Sequence, residues 1–448
     1  MIKEFLLRYK LWITKPETAL VVSFAAVVFA GTLLLYLPIA TVNGQYTSLL
    51  DAFFTSTSAT CVTGLIVYDT GSHFTLFGQI VILCLIQLGG LGIMTFTAIF
   101  VWLSKKAYSV QTHYAIQDTF GGDIEHLSIE DLLKFIAGTT FIIEGLGAIA
   151  IFLRLKEIYP LKHAAYSAIF HSISAFCNAG FSLYSDSLMQ FNQSWITLTT
   201  IMTLIVLGGL GYPVLYELKG KITGKKSKTS FHTKLVLSTT IALIIGGTIL
   251  IWLGDRDLNL LNALFQSITT RTAGFNSVDI GKIPSSSLFI MTMLMFVGGS
   301  PGSCAGGIKT TTFSGFLILV KDLFFGRHRK RIFERKLTGE TKEKIKSVII
   351  LAVSTVIFSF TILLFTETSI LTSCKEGFRN VLFEVVSAFG TVGLSTGITS
   401  HLSPIGKLVI IVDMFFGRVG PLAIVTTLQF GRRKEKKIDY PEQKIMIG

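Results

Sequence analysis

A stretch running from Asp51 to Leu65, D-A-F-F-T-S-T-S-A-T-C-V-T-G-L, returns three more times along the 448 residues of this chain. The later copies are Ser167–Ser182 (S-A-I-F-H-S-I-S-A-F-C-N-A-G-F-S), Asn262–Asn276 (N-A-L-F-Q-S-I-T-T-R-T-A-G-F-N) and Asn380–Ser395 (N-V-L-F-E-V-V-S-A-F-G-T-V-G-L-S). Each has an early Phe, a Ser/Thr-rich middle and a glycine followed by Leu or Phe; the third is one residue shorter between its Phe and its Gly. Each reads as a short helix that breaks into an extended turn at its glycine. Repetition of this kind means tandem structural units, and any fold assigned to the chain has to accommodate four of them.

Long apolar runs flank every copy: Thr18–Ala40 and Gly71–Ser104, Ile129–Tyr159 and Leu188–Tyr216, Phe231–Gly254 and Leu288–Val320, Lys344–Thr366 and Leu408–Phe430. Runs of about 20 apolar residues span a bilayer as helices, because an open strand cannot satisfy its backbone in lipid. Only 15% of residues are charged, against about a quarter in soluble proteins, so the chain reads as an integral membrane protein. Met1–Lys15 has basic residues but no short apolar core with a cleavage site, so no cleavable signal is expected. The five cysteines are scattered without C-x-x-C spacing, and the eight histidines show no metal-binding spacing, which leaves both without an assigned metal role.

The net charge of +13 is concentrated at the two ends and in the segments between repeats. That placement is an orientation signal, with the basic segments in the cytoplasm, and nucleic acid is not expected as a partner. If every inter-repeat segment is cytoplasmic, each repeat crosses the membrane an even number of times. Two long runs supply both crossings, so the short stretch between them enters and leaves on the outer side. The expected fold is an all-α membrane protein of four tandem helix–pore loop–helix repeats, with eight transmembrane helices, four re-entrant pore helices and pseudo-four-fold symmetry around a central pore. Its expected divisions are a cytoplasmic N-terminus (1–17), repeat 1 (18–105), a linker (106–128), repeat 2 (129–220), a linker (221–230), repeat 3 (231–326), a basic linker (327–343), repeat 4 (344–431) and a cytoplasmic tail (432–448).

A re-entrant helix ending at the midplane points its partly negative carbonyl end at the axis, and four such ends favour a cation there. Non-helical backbone at this depth has to be buried in protein or line a water-filled path. The residues up to each glycine then offer backbone carbonyls in place of a hydration shell. They are Cys61, Val62, Thr63 and Gly64; Cys177, Asn178, Ala179 and Gly180; Arg271, Thr272, Ala273 and Gly274; and Gly390, Thr391, Val392 and Gly393. No Asp or Glu occurs in these segments, which points to K⁺ rather than to Ca²⁺ with its carboxylate-rich sites. Packing contacts between helices are the other use of glycine in membranes, and four glycines in equivalent positions argue against it.

The motifs T-C-V-T-G-L, F-C-N-A-G-F-S, R-T-A-G-F-N-S and A-F-G-T-V-G-L-S, with G-G-S-P-G-S-C-A-G-G-I-K-T-T-T at 298–312 and F-G-R-V-G-P at 416–421, resemble the Trk/Ktr/HKT superfamily of potassium-translocating proteins. The resemblance covers nearly the whole chain. Because the first repeat begins at once, the Ktr membrane subunits are the nearer match, and the C-terminal Y-P-E-Q-K-I-M-I-G is similar to theirs. The resemblance implies a pore-forming subunit of a potassium uptake system in the plasma membrane, with both termini cytoplasmic and no covalent cofactor. It further implies K⁺ as the transported ion, Na⁺ as a candidate activator, a homodimer with one pore per chain, and a cytosolic ring of nucleotide-binding regulatory subunits. A Ser at the first filter glycine would imply Na⁺ permeation, and this chain has Gly64 there. Membrane lipids are the remaining expected partner.

Val297–Gly307 places five glycines and a proline inside an apolar span. Glycine costs about 1 kcal/mol and proline about 3 kcal/mol in a helix interior, so this stretch is expected to unwind. Unwound backbone must face the pore, which makes Gly298, Gly299, Ser300, Pro301, Gly302, Ser303, Cys304, Ala305, Gly306 and Gly307 a candidate gate, the role the resemblance also implies. Arg418 joins it as an intramembrane charge marking a pathway; its expected partners are carbonyls of that loop, with Asp413 or the cytoplasmic face as alternatives. Lys309 is expected to reach the inner face, Arg271 to pair with Glu144 or Glu384, and Asp51 to cap the first short helix. No G-x-x-x-x-G-K-[ST] occurs, so nucleotide hydrolysis by this chain is not expected. The rival readings are a Na⁺/K⁺ symporter or alternating-access carrier, and a polytopic enzyme or receptor, which lacks convergent catalytic residues here.

Overall fold

The computed structural model describes residues 16–103, 129–224, 229–325, 337–373, 376–420 and 423. The expected termini and basic linkers (1–17, 106–128, 221–230, 327–343, 432–448) lie wholly or partly outside these residues. The principal helices of the first repeat are α1 (Pro16–Tyr36), α2 (Leu49–Thr60) and α3 (Leu76–Leu103). The second repeat has α4 (Ile129–Leu155), α5 (Leu161–Phe176), α6 (Trp195–Leu210) and α7 (Tyr212–Ile222). The third has α8 (Phe231–Gly254), α9 (Leu260–Thr269), α10 (Ser285–Met295) and α11 (Thr310–Phe325). The fourth has α12 (Gly339–Thr366), α13 (Gly377–Gly390) and α14 (Pro404–Val419). Among the described residues, extended pairing is limited to isolated bridges, Thr41 with Phe74 and Val297 with Ile308.

By length and composition, Glu130–Leu155, Phe231–Gly254 and Gly339–Thr366 can each cross a membrane, as can α6 and α7 together if that bent pair is one span. The second apolar runs are shorter as helices than the sequence suggests. α3 is interrupted by Gly92 at φ +79°. Between α6 and α7 the chain turns by 104° at Gly211, φ +87°, and α14 ends at Gly420, φ +94°. An interruption is expected only in the third repeat; the described residues have one in the first and second as well, and in the fourth the helix stops at Gly420.

Polarity is turned inside out relative to a soluble bundle. On α2 the hydroxyls of Thr55, Ser56, Thr57, Ser58 and Thr60 are buried. Backbone carbonyls receive three of them: Thr55 Oγ1 donates to Asp51 O (2.9 Å), Thr57 Oγ1 to Phe53 O (2.8 Å), and Ser56 Oγ crosses to Val28 O on α1 (2.6 Å). The same crossing recurs from Ser172 to Glu144 O (2.6 Å) and from Ser267 to Ile244 O (2.8 Å). Outward faces carry the large apolar side chains, Phe141 and Leu146 on α4, Ile245 on α8, Phe358 and Phe365 on α12. Such a continuous exposed apolar surface suits lipid rather than water.

Within each repeat the first long helix, the short helix and the second helix pack on one another. Between repeats the rule is uniform: the second helix lies against the next short helix, as α3 on α5, α6 on α9, α10 on α13 and α14 on α2. The last of these contacts returns to the first repeat. Lys407 on α14 and Asp51 on α2 close that junction with an ion pair at 2.6 Å, both side chains largely buried. Asp51 is not the helix cap: Ser48 is, its Oγ accepting the Asp51 N–H (3.1 Å) while donating to the Asp51 carboxylate (2.7 Å). Ser48 thus caps the helix alone, and the other oxygen of the Asp51 carboxylate is left facing Lys407.

Candidate functional site

The short helices α2, α5, α9 and α13 all end at one place. α2 stops at Cys61, and the turn closes through Val62 N–H to Ala59 O (3.1 Å) and Thr63 N–H to Ser58 O (2.8 Å). α5 repeats this with Asn178 to Ala175 (3.1 Å) and Ala179 to Ser174 (2.7 Å), and α13 with Thr391 to Ala388 (3.0 Å) and Val392 to Ser387 (2.8 Å). These are helix ends that need one left-handed residue. Glycine normally takes that position; here Val62, Asn178, Thr272 and Thr391 do, at φ between 50° and 72°. Left-handed backbone costs an L-residue about 1–2 kcal/mol and is rarest for β-branched side chains, so three of these four positions hold strain.

Two residues further on come Gly64, Gly180, Gly274 and Gly393, all with positive φ. A Cβ at Gly64 would stand 2.3 Å from Ala179 O, one at Gly180 2.6 Å from Ala273 O, one at Gly274 2.4 Å from Val392 O, and one at Gly393 2.1 Å from Thr63 O. Each glycine therefore abuts the carbonyl preceding the next repeat's glycine, and the fourth abuts the first. Of the sixteen candidate residues, the four glycines and the residues just before them, Thr63, Ala179, Ala273 and Val392, form this closed ring, and the other eight lead into it from the helix ends. A hydroxyl of each short helix fixes its segment. Ser58 Oγ accepts the Gly64 N–H and Ser387 Oγ the Gly393 N–H, both at 3.1 Å. Ser174 Oγ donates to Phe181 O (2.8 Å) and Thr269 Oγ1 to Phe275 O (2.6 Å). Thr269 stands one residue nearer its glycine, which is how the shorter third copy keeps register.

Carboxylates near the ring are occupied elsewhere. Glu384 accepts from Ser395 Oγ (2.9 Å) and Thr399 Oγ1. Glu144 faces Gln87 (3.4 Å) and the Cys177 thiol (3.8 Å). Neither meets Arg271, contrary to the pairing expected from sequence. The Arg271 guanidinium reaches Gly298 O (3.4 Å) instead, because the 298–307 loop passes directly beneath its segment. Among the described residues no group of His, Cys, Asp or Glu is arranged to hold a metal ion.

The loop is closed at its neck by Gly298 N–H to Ile308 O (2.8 Å). Gly306 N–H donates to Thr391 Oγ1 (3.1 Å) in the fourth segment, and a Cβ on Gly298 would lie 3.3 Å from Thr272 in the third. Lys309 does not extend to the inner face; its ammonium folds back on Ala305 O. Arg418 is buried and forks between two carbonyls, Cys304 O in the loop and Gly89 O on α3. Asp413 is engaged with Ser359 (2.6 Å). Sequence reasoning does not single out Gly89, Gly208, Gly209, Tyr212 and Gly417, whose backbone groups bond the loop or Arg418. The signal is a shared pattern: G-G-L-G at 89–92 and again at 208–211, with G-R-V-G at 417–420, each within the second apolar run of its repeat.

Four convergent helix carboxyl ends and a ring of backbone carbonyls, with no carboxylate in the four segments, are an arrangement whose chemistry suits a small cation. The chain belongs to the TrkH family of cation transport proteins, which it matches over residues 7–436. It is 36% identical to the Ktr system potassium uptake protein B of Vibrio alginolyticus, covering 96% of this chain and 94% of that one. It is 35% identical to the potassium/sodium uptake protein NtpJ of Enterococcus hirae, over 97% of both. Its fold is that of the crystal structure of the potassium transporter TrkH from Vibrio parahaemolyticus, with a TM-score of 0.70 and 18% identity over 92% of this chain and 84% of that one.

Proposed function

We propose that this chain is the pore-forming subunit of a potassium uptake system, passing K⁺ inward through the carbonyl ring. The observation that carries the reading is the closed circuit of Gly64, Gly180, Gly274 and Gly393, each against its neighbour's carbonyl. In its finer form the fold is four tandem repeats, eight transmembrane helices and four re-entrant helices around one axis, which the cyclic packing of second helices on short helices supports. Residues 298–307 and Arg418 act as the gate, supported by the loop's position under the third and fourth segments. Both termini and the basic linkers are cytoplasmic, and the membrane potential drives entry at about 2.3 kcal/mol per charge per 100 mV.

The naming of relatives as parts of a Ktr system supports work with partner proteins; the family resemblance of the filter motifs makes those partners a second copy of the chain and a cytosolic nucleotide-binding ring. A second reading, coupled Na⁺/K⁺ transport with Na⁺ as co-substrate or activator, is favoured by the relative named for both ions. The test is ⁸⁶Rb⁺ uptake into proteoliposomes with competing K⁺ or Na⁺, comparing wild type with Gly180→Ser. A side chain at 180 meets Ala273 O and a backbone at φ +69°. Preference for K⁺ over Na⁺ in wild type that collapses in the variant is the expected outcome; equal discrimination in both removes the filter assignment. Uptake that requires Na⁺ on the same side decides for the coupled reading.

A further inference from the structure

Breaks in the second helices leave backbone groups that a continuous helix would have paired, and the 298–307 loop takes them up. In an unbroken helix, Gly208 O accepts from the N–H of residue 212 and Gly209 O from that of residue 213. Residue 213 is a proline and has no N–H to give. Gly211 is left-handed, and the chain turns away by 104°. Tyr212 N–H donates instead to Gly302 O (3.0 Å), Gly208 O accepts Cys304 N–H (3.2 Å), and Gly209 O accepts Ser300 N–H (2.9 Å). The loop therefore stands in for the missing turn of helix, supplying two donors and one acceptor.

Shape follows the same logic. Pro301 O lies 2.5 Å from where a Cβ on Gly211 would stand, and Gly302 turns its open side to Pro213, 3.1 Å from Cδ. The fourth repeat repeats the device. Gly417 O would be served by residue 421, another proline, and accepts Gly307 N–H (3.1 Å). In the first repeat, Gly89 O accepts from Arg418, whose other arm holds Cys304 O. In each case the carbonyl three residues before a left-handed glycine is given over to the loop or its clamp.

We infer that G-G-L-G-Y-P at 208–213 is the seat of the gate, with Gly211 and Pro213 as positioning residues that hold the loop across the ion path. Opening is an exchange of partners: Tyr212 N–H returns to Gly208 O, α6 and α7 straighten, and the loop is released. The inference rests on the reading of 298–307 as a gate. α7 ends in Lys219 and Lys221, so force applied at that end reaches the seat through one rigid rod.

The test uses the full-length chain in liposomes without any cytosolic subunit, measuring the initial rate of ⁸⁶Rb⁺ uptake. Pro213→Ala restores an N–H able to serve Gly209 O, and Gly211→Ala sets a methyl against Pro301 O. Both are expected to raise uptake by roughly fivefold, the effect of shifting the balance between closed and open states by about one neutral hydrogen bond. Discrimination between K⁺ and Na⁺ is expected to stay at the wild-type value, whereas damaged packing would lower flux or discrimination. If Gly211→Ala fails to fold, Pro213→Ala carries the test. Uptake by Pro213→Ala at or below wild type, in protein that elutes as wild type does, overturns the seat while leaving the pore intact. Uptake no greater than that of empty liposomes in wild type, Pro213→Ala and Arg418→Ala alike overturns the pore reading and the seat with it.

Discussion

Arg418 shows how much one side chain can settle. A guanidinium in a membrane interior is costly unless its donors are met, and here two carbonyls from different repeats meet its two terminal nitrogens, while Nε has no partner among the described residues. Its planar fork spans both, which a lysine ammonium cannot do in the same geometry. Arg418→Lys is therefore expected to behave nearer to Arg418→Ala than to wild type. Each charged hydrogen bond lost from the closed state, at about 1.5–3 kcal/mol, raises ⁸⁶Rb⁺ leak roughly tenfold or more. Ser58→Ala and Ser387→Ala each leave a ring glycine N–H unmet, a cost of about 1–3 kcal/mol, and are expected to weaken K⁺/Na⁺ discrimination in competition assays without abolishing uptake. The hydroxyl-rich stretches and their glycines stood out in the sequence because they repeat. The strain at Val62, Thr272 and Thr391 did not, since no composition rule places a β-branched residue at positive φ. Arg271 was given a carboxylate partner because charge invites one; the structure offers a loop carbonyl that sequence separation had hidden.

At the scale of elements, the second helices were the least legible parts. The expected break in the third repeat was marked by a proline and five glycines. The helix ends at Gly92, Gly211 and Gly420 close G-x-x-G sequences within apolar runs, where small residues ordinarily signal close helix packing. The repeated G-x-x-G pattern distinguishes the two uses. The short helices were legible as elements, but their caps were not: the eye goes to Asp51, while Ser48 does the capping. Freed from that task, Asp51 joins Lys407, and this ion pair ties α2 to α14. Asp51→Asn is expected to destabilise the protein by about 1–3 kcal/mol, less than a fully desolvated pair because both ends keep some exposure. A fall of several degrees in the aggregation temperature in detergent checks this, and Asp51→Asn with Lys407→Met is expected to recover part of it. An unchanged aggregation temperature in the single variant would mean the pair contributes nothing to holding the two elements.

For the whole molecule, all-helical character and membrane residence followed from composition and run length, and relatives spanning the full chain fix the family. Orientation rests on where the Lys and Arg fall, so it is tested directly by reporter fusions at both ends and in the three inter-repeat segments. All are expected to report from the cytoplasm; a single external signal breaks the even-crossing topology.

The junction between α14 and α2 also bears on how the protein is made. The partners Asp51 and Lys407 are separated by 356 positions along the chain, so the ribosome delivers almost the entire polypeptide before they can meet. Until then the earliest repeat sits in the bilayer with one flank unclosed, and contacts of such long separation are slow to form. The last repeat is a keystone: a nascent chain stalled before it leaves an arch without its final stone, a natural substrate for membrane quality control.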